Sequence, residues 1–161
     1  MKQTMPESRM PLDLTDRRLL AILQQDAQIT ADALAERLHL SASQAGRRRA
    51  RLEQSGVIHA YQARLDPDAV GLGVEAFIRV VMATHTAEGA ADFQRMARRQ
   101  PAITAAWTLT GEADYLLRVF CSDLPALNRL VQDVLLPHPA VARVQSQIVL
   151  ERIKADAPLP V

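Results

Sequence analysis

Apolar residues in the first third of the chain recur at helical spacing, in short stretches separated by polar turns. Leu19, Leu20, Ile22 and Leu23 form an apolar stripe. They lie on a helix that we expect to start near Asp13 or Thr15 and to end near residues 25–26. Thr30 is a residue type that caps helices, and apolar residues follow it at helical spacing. A second short helix is therefore predicted after Thr30.

A third helix is predicted between Ser41 and Gly56. Ser41 and Gln44 have the spacing of a capping box, in which each side chain accepts a hydrogen bond from the other residue's backbone N–H. Gly56 stands where a helix ends in a left-handed residue. Loose alternation over residues 57–65 predicts a β-ribbon, called a wing. Three short helices and such a ribbon are typical of a winged helix-turn-helix.

The rest of the chain alternates between strand and helix patterns. The predicted order is strand, helix, strand, strand, helix, strand, over residues 74–83, 87–99, 103–109, 115–121, 124–136 and 141–153. This βαββαβ order is that of the ferredoxin-like fold, so the predicted fold class is α+β. Helices cover only one face of such a small sheet. We expect a second copy of the chain to cover the open face, which makes a dimer.

These patterns also predict the domain organisation. Residues 1–11 and 155–161 contain prolines and are interpreted as tails. The winged helix-turn-helix is predicted over residues 12–66 and the ferredoxin-like domain over residues 74–154. Residues 67–73, which include turn-forming Pro, Asp and Gly, are interpreted as the linker between them.

Composition and charge narrow the function. Of the 161 residues, 48% are hydrophobic and 23% are charged, as in globular proteins. The net charge is only +1, but residues 41–64 hold five arginines and one acid, which indicates a localised anionic partner. The single cysteine, Cys121, cannot form a disulfide within the chain, and no apolar stretch has the length of a membrane span. We therefore expect a soluble, cytoplasmic protein without a membrane partner.

A set of short motifs runs along nearly the whole chain. In order they are Leu12-Asp13, Asp16-Arg17-Arg18-Leu19-Leu20, Leu34-Ala35-Glu36-Arg37-Leu38, Leu40-Ser41, Arg48, Arg51-Leu52-Glu53, Gly56-Val57-Ile58, Tyr61, Gly71-Leu72-Gly73, Leu109-Thr110-Gly111-Glu112 and Asp114-Tyr115-Leu116-Leu117. Together they resemble the Lrp/AsnC family of bacterial and archaeal transcription regulators. The resemblance implies a winged helix-turn-helix and a RAM/AsnC-type effector-binding domain. It also implies a homodimer that assembles further, often into an octamer, and amino acids as effectors.

The basic third helix is the candidate for binding double-stranded DNA. The candidate residues are Ser41, Ser43, Gln44, Arg47, Arg48, Arg51 and Arg64. Because the N-terminal part of a recognition helix lies nearest the base edges, Ser43, Gln44 and Arg47 are expected to contact bases. The other three arginines are expected to contact phosphates. The alternative is a solvated run of charge on a surface helix.

The turn between the two central strands is the candidate for effector binding. The candidate residues are Leu109, Thr110, Gly111, Glu112, Asp114 and Ser146, the last because it matches a hydroxyl position of the family. Gly111 lets a ligand approach the backbone, and Glu112 or Asp114 could pair with an α-ammonium group. The resemblance implies an amino acid such as leucine or methionine. The alternative is an ordinary hairpin turn, in which Gly and Asp are also favoured.

Arg49 departs from the family pattern and leaves a second function open. It lies three residues before Leu52, on the inward face of the helix, where the family has an apolar residue. An arginine there must snorkel, pair with an acid or shift the packing of the helix. The alternative function is therefore a ligand-sensing oligomer that no longer reads DNA.

An enzyme is the remaining alternative. Distant relatives with the same two-domain layout are sirohaem decarboxylases, which carry histidines around the strand equivalent to Ile103–Leu109. This strand has none, and the four histidines of the chain lack the spacing of metal ligands. No Gly-rich phosphate loop or Ser/His/Asp set is visible in the sequence. We therefore expect no catalytic residues, no metal and no cofactor.

Overall fold

The computed structural model describes residues 11–161, so the tail predicted over residues 1–11 lies almost wholly outside the described residues. The chain forms two compact units. The first contains the residues up to Ala63 together with Lys154–Val161, and the second contains Arg64–Ile153. The C-terminal residues join the first unit through Leu159, whose backbone N–H and C=O both bond to the side chain of Gln24 (2.6 and 3.1 Å).

The first unit contains the three predicted helices. They are α1 (Leu14–Gln25), α2 (Ala31–Leu38) and α3 (Ala42–Gln54). Their buried side chains form one core: Leu19, Leu20, Leu23, Ile29, Leu34, Ala35, Leu38, Ala45 and Leu52. A left-handed His39 (φ 55°) makes the tight turn from α2 to α3. This turn and the core fix which face of α3 is exposed.

Each of these helices starts at a side-chain cap, and the caps at Thr30 and Ser41 are the predicted ones. Asp13, Thr30 and Ser41 accept hydrogen bonds from backbone N–H groups of the first turns of α1, α2 and α3. The capping box of Ser41 and Gln44 is confirmed, and Asp13 forms a second one with Asp16. These contacts are local, so the sequence alone predicted the starts of α2 and α3, and of the two starts expected for α1 the structure shows the one at Asp13.

The predicted β-ribbon over residues 57–65 is wrong, because these residues form no strand. A strand needs a partner for its backbone hydrogen bonds, and the described part of the first unit contains no other strand. The segment is attached to α3 instead. The backbone N–H of Ile58 donates to Leu52 O (3.1 Å), Ile58 packs against the helical core, and Tyr61 bonds to Glu53. The loose alternation of apolar residues reflects these two attachments.

The second unit confirms the predicted ferredoxin-like order. It contains β1 (Val74–Met82), α4 (Ala87–Arg99), β2 (Ile103–Thr108), β3 (Tyr115–Cys121), α5 (Leu124–Arg129) and β4 (Val141–Ile148). The four strands form one antiparallel sheet in the order β2-β3-β1-β4. The topology places the last residues of β1 and β2 and the first residues of β4 around the turn that joins β2 to β3.

The two faces of the sheet differ in burial. Along β3, the odd-numbered positions from Tyr115 to Cys121 are buried with α4 and α5 in the core of this unit. Strand residues alternate between faces, so Leu116, Arg118 and Phe120 lie on the other face. The pairing of the strands places further apolar side chains on this open face, among them Phe77, Val81 and Trp107. Trp107 is 47% exposed, unusual for so large an apolar side chain.

Two elements of this unit differ from the sequence prediction. The helix predicted over residues 124–136 is α-helical only to Arg129 and continues as a π-helix over Leu130–Leu135. Leu130 and Leu135 are five positions apart, which is little more than one turn of the wider π-helix. Both side chains can therefore face the core. The last strand ends at Ile148 rather than at residue 153. Ile148 lies opposite Ala76, and the backbone N–H of Val149 still donates to Glu75 O (2.9 Å). Its partner β1 starts at Val74, so residues 151–153 have no strand to pair with.

Candidate nucleic-acid interface and ligand cavity

The N-terminus of α3 presents polar side chains to solvent. Ser43, Gln44 and Arg47 are exposed and lie within one turn of each other. Arg47 Nε donates to Ser43 O (3.3 Å), so the guanidinium lies along the first turn of the helix. Gln44 has a second role, because its Oε1 accepts from the backbone N–H of Ser41 (3.0 Å). An adenine contact through both amide atoms of Gln44 would compete with this cap.

A shallow cavity of about 310 Å³ lies beside these residues. It is lined by Leu40, Gln44, Arg47, Arg48 and Arg51. The structure therefore brings together most of the candidate DNA-binding residues of α3 on one cationic surface. Arg64 is exposed and is the first residue of the second unit.

Arg48 and Arg51 are bonded to carboxylates of α1 and its cap. Arg48 Nη1 donates to Asp13 Oδ2 (2.6 Å) and Asp16 Oδ1 (2.8 Å), and Arg51 Nη2 donates to Asp16 Oδ2 (2.6 Å). Asp16 is only 1% exposed, so these bonds hold a buried carboxylate. The backbone N–H of Asp16, followed by Arg48, holds the pKa of the Asp13 carboxyl below its usual value. These two arginines thus join α3 to α1, an arrangement the sequence analysis missed.

Arg49 is accommodated by pairing and snorkelling, two of the options expected for it. Its Nε donates to Glu53 Oε1 (3.0 Å) and to Tyr61 Oη (3.0 Å), and its guanidinium lies 4.8 Å from the centre of the Tyr61 ring. Nη1 donates to Ile29 O (3.4 Å). Burial lowers the pKa of Arg49, but the bonds to Glu53 and Tyr61 outweigh it and raise the pKa overall. Arg49 therefore stays charged while it packs at the base of α3.

In the second unit, the predicted effector turn is held by its own backbone and by Asp114. The backbone N–H of Leu109 donates to Asp114 O (2.8 Å), and Gly111 has a left-handed φ of +110°. The carboxylate of Asp114 accepts from the backbone N–H of Met82 (2.7 Å) and lies 3.4 Å from His85 Nδ1. Asp114 therefore fastens the turn to the end of β1.

A cavity of about 260 Å³ lies beside this turn. It is lined by Arg79, Val81, Leu109, Thr110, Glu112, Ala113, Arg143 and Gln145. Leu109, Thr110 and Glu112 were candidates from the sequence, and the structure brings them together. Neither Asp114 nor Ser146 is among the lining residues. Ser146 pairs with buried Ile78 and so lies on the opposite face of the sheet from Gln145.

The cavity also has lining residues on β1 and β4 that were not candidates from the sequence. Arg79 lies opposite Gln145, and Val81 lies opposite Arg143, in the pairing of β1 with β4. All four share the open face of the sheet. Alternation along β1 and β4 could have placed them on one face, but their nearness to the turn depends on the strand order.

Residues 11–161 contain no group of three or more His, Cys, Asp or Glu side chains that could hold a metal ion. Cys121 is buried, and burial raises the pKa of its thiol. Within the same residues, no helix is long and apolar enough to cross a membrane.

Two family models match the chain, one in each part. Residues 12–59 match a family described as winged helix-turn-helix DNA-binding. Residues 75–159 match the Lrp/AsnC ligand binding domain. Together they cover both the α3 surface and the cavity beside the 109–114 turn.

Characterised proteins resemble the chain over almost its whole length. It is 34% identical to the DNA-binding transcriptional activator DecR of Escherichia coli, over 93% of this chain and 99% of the relative. It is 31% identical to the Bkd operon transcriptional regulator of Pseudomonas aeruginosa, over 88% and 93% of the two chains. A transcriptional regulator of Neisseria meningitidis, crystallised in complex with L-methionine, is 40% identical, with a TM-score of 0.90 over 93% of this chain and 97% of that one.

Proposed function

Because the chain belongs to the Lrp/AsnC family of DNA-binding transcriptional regulators, we propose that it reads a DNA sequence with α3 and responds to an amino acid bound beside the 109–114 turn. The observation that carries this proposal is that one chain contains both features. It has an exposed, capped, cationic helix in one unit and a polar cavity in the ligand-binding unit. Its expected place of action is the cytoplasm.

Base contacts are assigned to the exposed face of α3. Arg47 can make two parallel hydrogen bonds to a guanine edge, and Ser43 and Gln44 lie beside it on the same turn. Arg51, although bonded to Asp16, is 46% exposed and can share its charge with a phosphate, as can Arg48. Arg64 and the helix start at Ser41 complete the phosphate contacts. The charge of Arg49 on the inward face of α3 was the reason to consider a protein that no longer binds specific DNA sequences. Because Arg49 packs at the base of α3, that reason is removed.

The effector is assigned to the cavity beside the 109–114 turn. Glu112 supplies a carboxylate for an α-ammonium group, and Gly111 leaves the backbone of the turn open to a ligand. The structure of the Neisseria regulator with L-methionine supports an amino acid as the class of ligand. Gly111, Asp114 and Ser146 do not line the cavity. We assign no ligand contact to Asp114, which bonds to Met82, or to Ser146, which lies on the opposite face of the sheet.

Assembly is assigned to the open face of the sheet. Trp107 is half exposed there opposite Leu116, and Phe77 and Phe120 lie on the same face. A second copy of the chain would bury these side chains. A homodimer of this kind can assemble further, into an octamer or another ring. Since the cavity opens on the same face, a ligand can favour one assembly over another and so change the spacing of the DNA-binding units.

The DNA-binding proposal is tested by selecting duplexes from a random pool and titrating the enriched duplex against a scrambled one. Arg47→Ala should weaken binding to the enriched duplex by about 1–3 kcal/mol and reduce the preference over scrambled DNA, because a bidentate base contact is lost. Arg18→Ala, on the exposed side of α1, is the matched control and should leave the preference intact. If Arg47→Ala keeps the full preference, the base-contact assignment is wrong.

The ligand-binding proposal is tested by calorimetry with a set of the common amino acids. At least one should bind, and Glu112→Gln should weaken that binding by about tenfold because a charged hydrogen bond to the ammonium group is lost. Asp123→Asn, at the cap of α5, removes a carboxylate outside the cavity and should leave the affinity unchanged. Equal binding by the wild type and Glu112→Gln would place the ligand elsewhere.

A further inference from the structure

We propose that the cavity beside the 109–114 turn takes an amino acid with an acidic side chain, such as glutamate or aspartate, rather than leucine or methionine. This inference rests on the proposed function, because it assumes that this cavity is the effector site. It is carried by two strand residues, Arg79 and Arg143, which the turn motif does not include.

The sheet pairing places these two arginines together. Arg79 is on β1, and Arg143 is on β4 opposite Val81, two residues further along β1. Residues two apart on a strand lie on the same face, so both guanidinium groups project from the open face into one cavity wall. Gln145, directly opposite Arg79, adds an amide to the same wall.

Neither guanidinium is neutralised by the chain itself. Within residues 11–161, the side chains of Arg79 and Arg143 make no hydrogen bond or ion pair. Arg118, on the same face, provides the contrast, because its Nε donates to Glu75 Oε1 (2.6 Å). Two unpaired cations at one cavity are mutually repulsive and favour the binding of an anion between them.

The charges of the cavity match those of an acidic amino acid. The lining holds two guanidinium groups and the carboxylate of Glu112. Glutamate or aspartate brings two carboxylates and one ammonium group, so every charge on either side has an opposite partner. Arginine is well suited to such carboxylates, because its N–H groups can form two parallel hydrogen bonds with both oxygens.

An aliphatic side chain would fit this lining less well. Leucine or methionine would neutralise only one guanidinium and would place carbon atoms against the other. The apolar part of the lining is limited to Val81, Leu109 and Ala113, whereas Thr110 and Gln145 add polar groups. Covering a charged group with an apolar ligand costs free energy, because the charge loses water without gaining a partner.

The test compares L-glutamate with L-glutamine, which has nearly the same shape without the side-chain charge. Titration calorimetry on the full chain should show glutamate binding about tenfold or more tightly than glutamine. Arg79→Gln and Arg143→Gln should both weaken glutamate binding. The variant that lacks the partner of the side-chain carboxylate should lose the preference and leave glutamine binding unchanged, whereas the variant that lacks the partner of the α-carboxylate should weaken the binding of both ligands. Arg98→Gln, on an exposed position of α4, should preserve it. Sedimentation velocity on each variant reports whether assembly is altered.

The outcomes separate this inference from the function on which it rests. Two results would show that the proposed preference for an acidic amino acid is wrong: glutamate binds no more tightly than glutamine, or leucine or methionine binds more tightly than both. The assignment of the effector site to this cavity would still stand. If no amino acid binds to a protein that still binds DNA, the proposed effector function fails as well. If the arginine variants change assembly without changing glutamate affinity, these residues pair across an interface and the assignment is overturned.

Discussion

The four arginines of α3 have the same charge and different surroundings. Arg47 is exposed at the cationic surface, whereas Arg48 and Arg51 bond to the buried carboxylate of Asp16. Arg49 pairs with Glu53 and Tyr61. Helical spacing alone predicted that Arg49 faces inward. It could not predict the partners of Arg48 and Arg51, which lie on α1 and its cap more than thirty positions earlier and meet α3 only through packing.

The contacts of Arg49 predict a role in stability. Arg49→Ala should lower the free energy of unfolding by about 1–2 kcal/mol, because Glu53, Tyr61 and the Ile29 carbonyl each lose a charged donor and Tyr61 loses the packed guanidinium. Urea denaturation measures the change. Arg47→Ala, two positions earlier and exposed, should leave stability unchanged. Equal stabilities for the two variants would show that the Arg49 contacts contribute nothing measurable.

Asp114 shows the limit of reasoning from residue type alone. Asp in a turn is favoured both for binding an ammonium group and for holding the backbone. The sequence could not separate these roles, because the Met82 N–H that Asp114 binds belongs to another strand. Glu112, two positions earlier, turns out to be the carboxylate of this turn that lines the cavity.

At the scale of elements, α1 and α3 are joined by the carboxylate of Asp16. Asp16→Asn removes its charge and should lower the free energy of unfolding by about 1–3 kcal/mol, because bonds from Arg48 and Arg51 lose their charged acceptor. Asp13→Asn is the control: asparagine caps helices as well as aspartate does, and Asp13 is half exposed. Asp13→Asn should therefore lower the free energy of unfolding by less than Asp16→Asn does. Urea denaturation that ranks Asp13→Asn as the more damaging change would contradict this assignment.

In the second unit, Glu75 joins the start of β1 to β3 and to the chain after β4. It bonds to Arg118 (2.6 Å) and Arg152 (2.7 Å) and is 12% exposed. Burial raises its pKa, but the bonds from Arg152 and Arg118 outweigh burial and hold the pKa below the ordinary value of 4.5. A carboxyl with a lowered folded-state pKa stabilises the protein above pH 4.5, and this contribution is lost as the pH falls through the folded-state pKa.

Glu75→Gln should therefore be less stable than the wild type at pH 7, by about 1–3 kcal/mol. The difference should shrink as the pH falls below 4.5. Urea denaturation across this pH range measures the effect, with Glu88→Gln, at an exposed position of α4, as the control. A difference between Glu75→Gln and the wild type that stays constant with pH would contradict the role of the carboxylate.

The elements that the sequence predicted correctly are those fixed by local contacts. Side-chain caps start α1, α2 and α3, and alternation predicted β3 to the residue. The errors arise where an element depends on something distant in sequence. Residues 57–65 lack a pairing partner, and β4 ends opposite the first residues of its partner β1. The π-helix over Leu130–Leu135 depends on which leucines reach the core.

For the whole molecule, the open sheet face predicts how copies of the chain associate. Trp107→Glu should shift the protein from dimer or larger assembly towards monomer, because a charge would be buried in place of an aromatic ring. Leu124→Glu, on an exposed residue at the start of α5, is the matched control. Sedimentation velocity over a range of concentrations measures both. An unchanged assembly in Trp107→Glu would mean that copies associate through another surface.

The central claim is that ligand binding in the second unit alters DNA binding by the first. The most direct measurement is fluorescence anisotropy of the selected duplex, titrated with protein at several salt concentrations, with and without the amino acid that binds. We expect log K to fall with log salt at a slope of about −0.9 per phosphate contact, and the ligand to change the affinity by about fivefold or more. A binding constant that the ligand leaves unchanged would contradict this claim, and one that salt leaves unchanged would contradict the phosphate contacts.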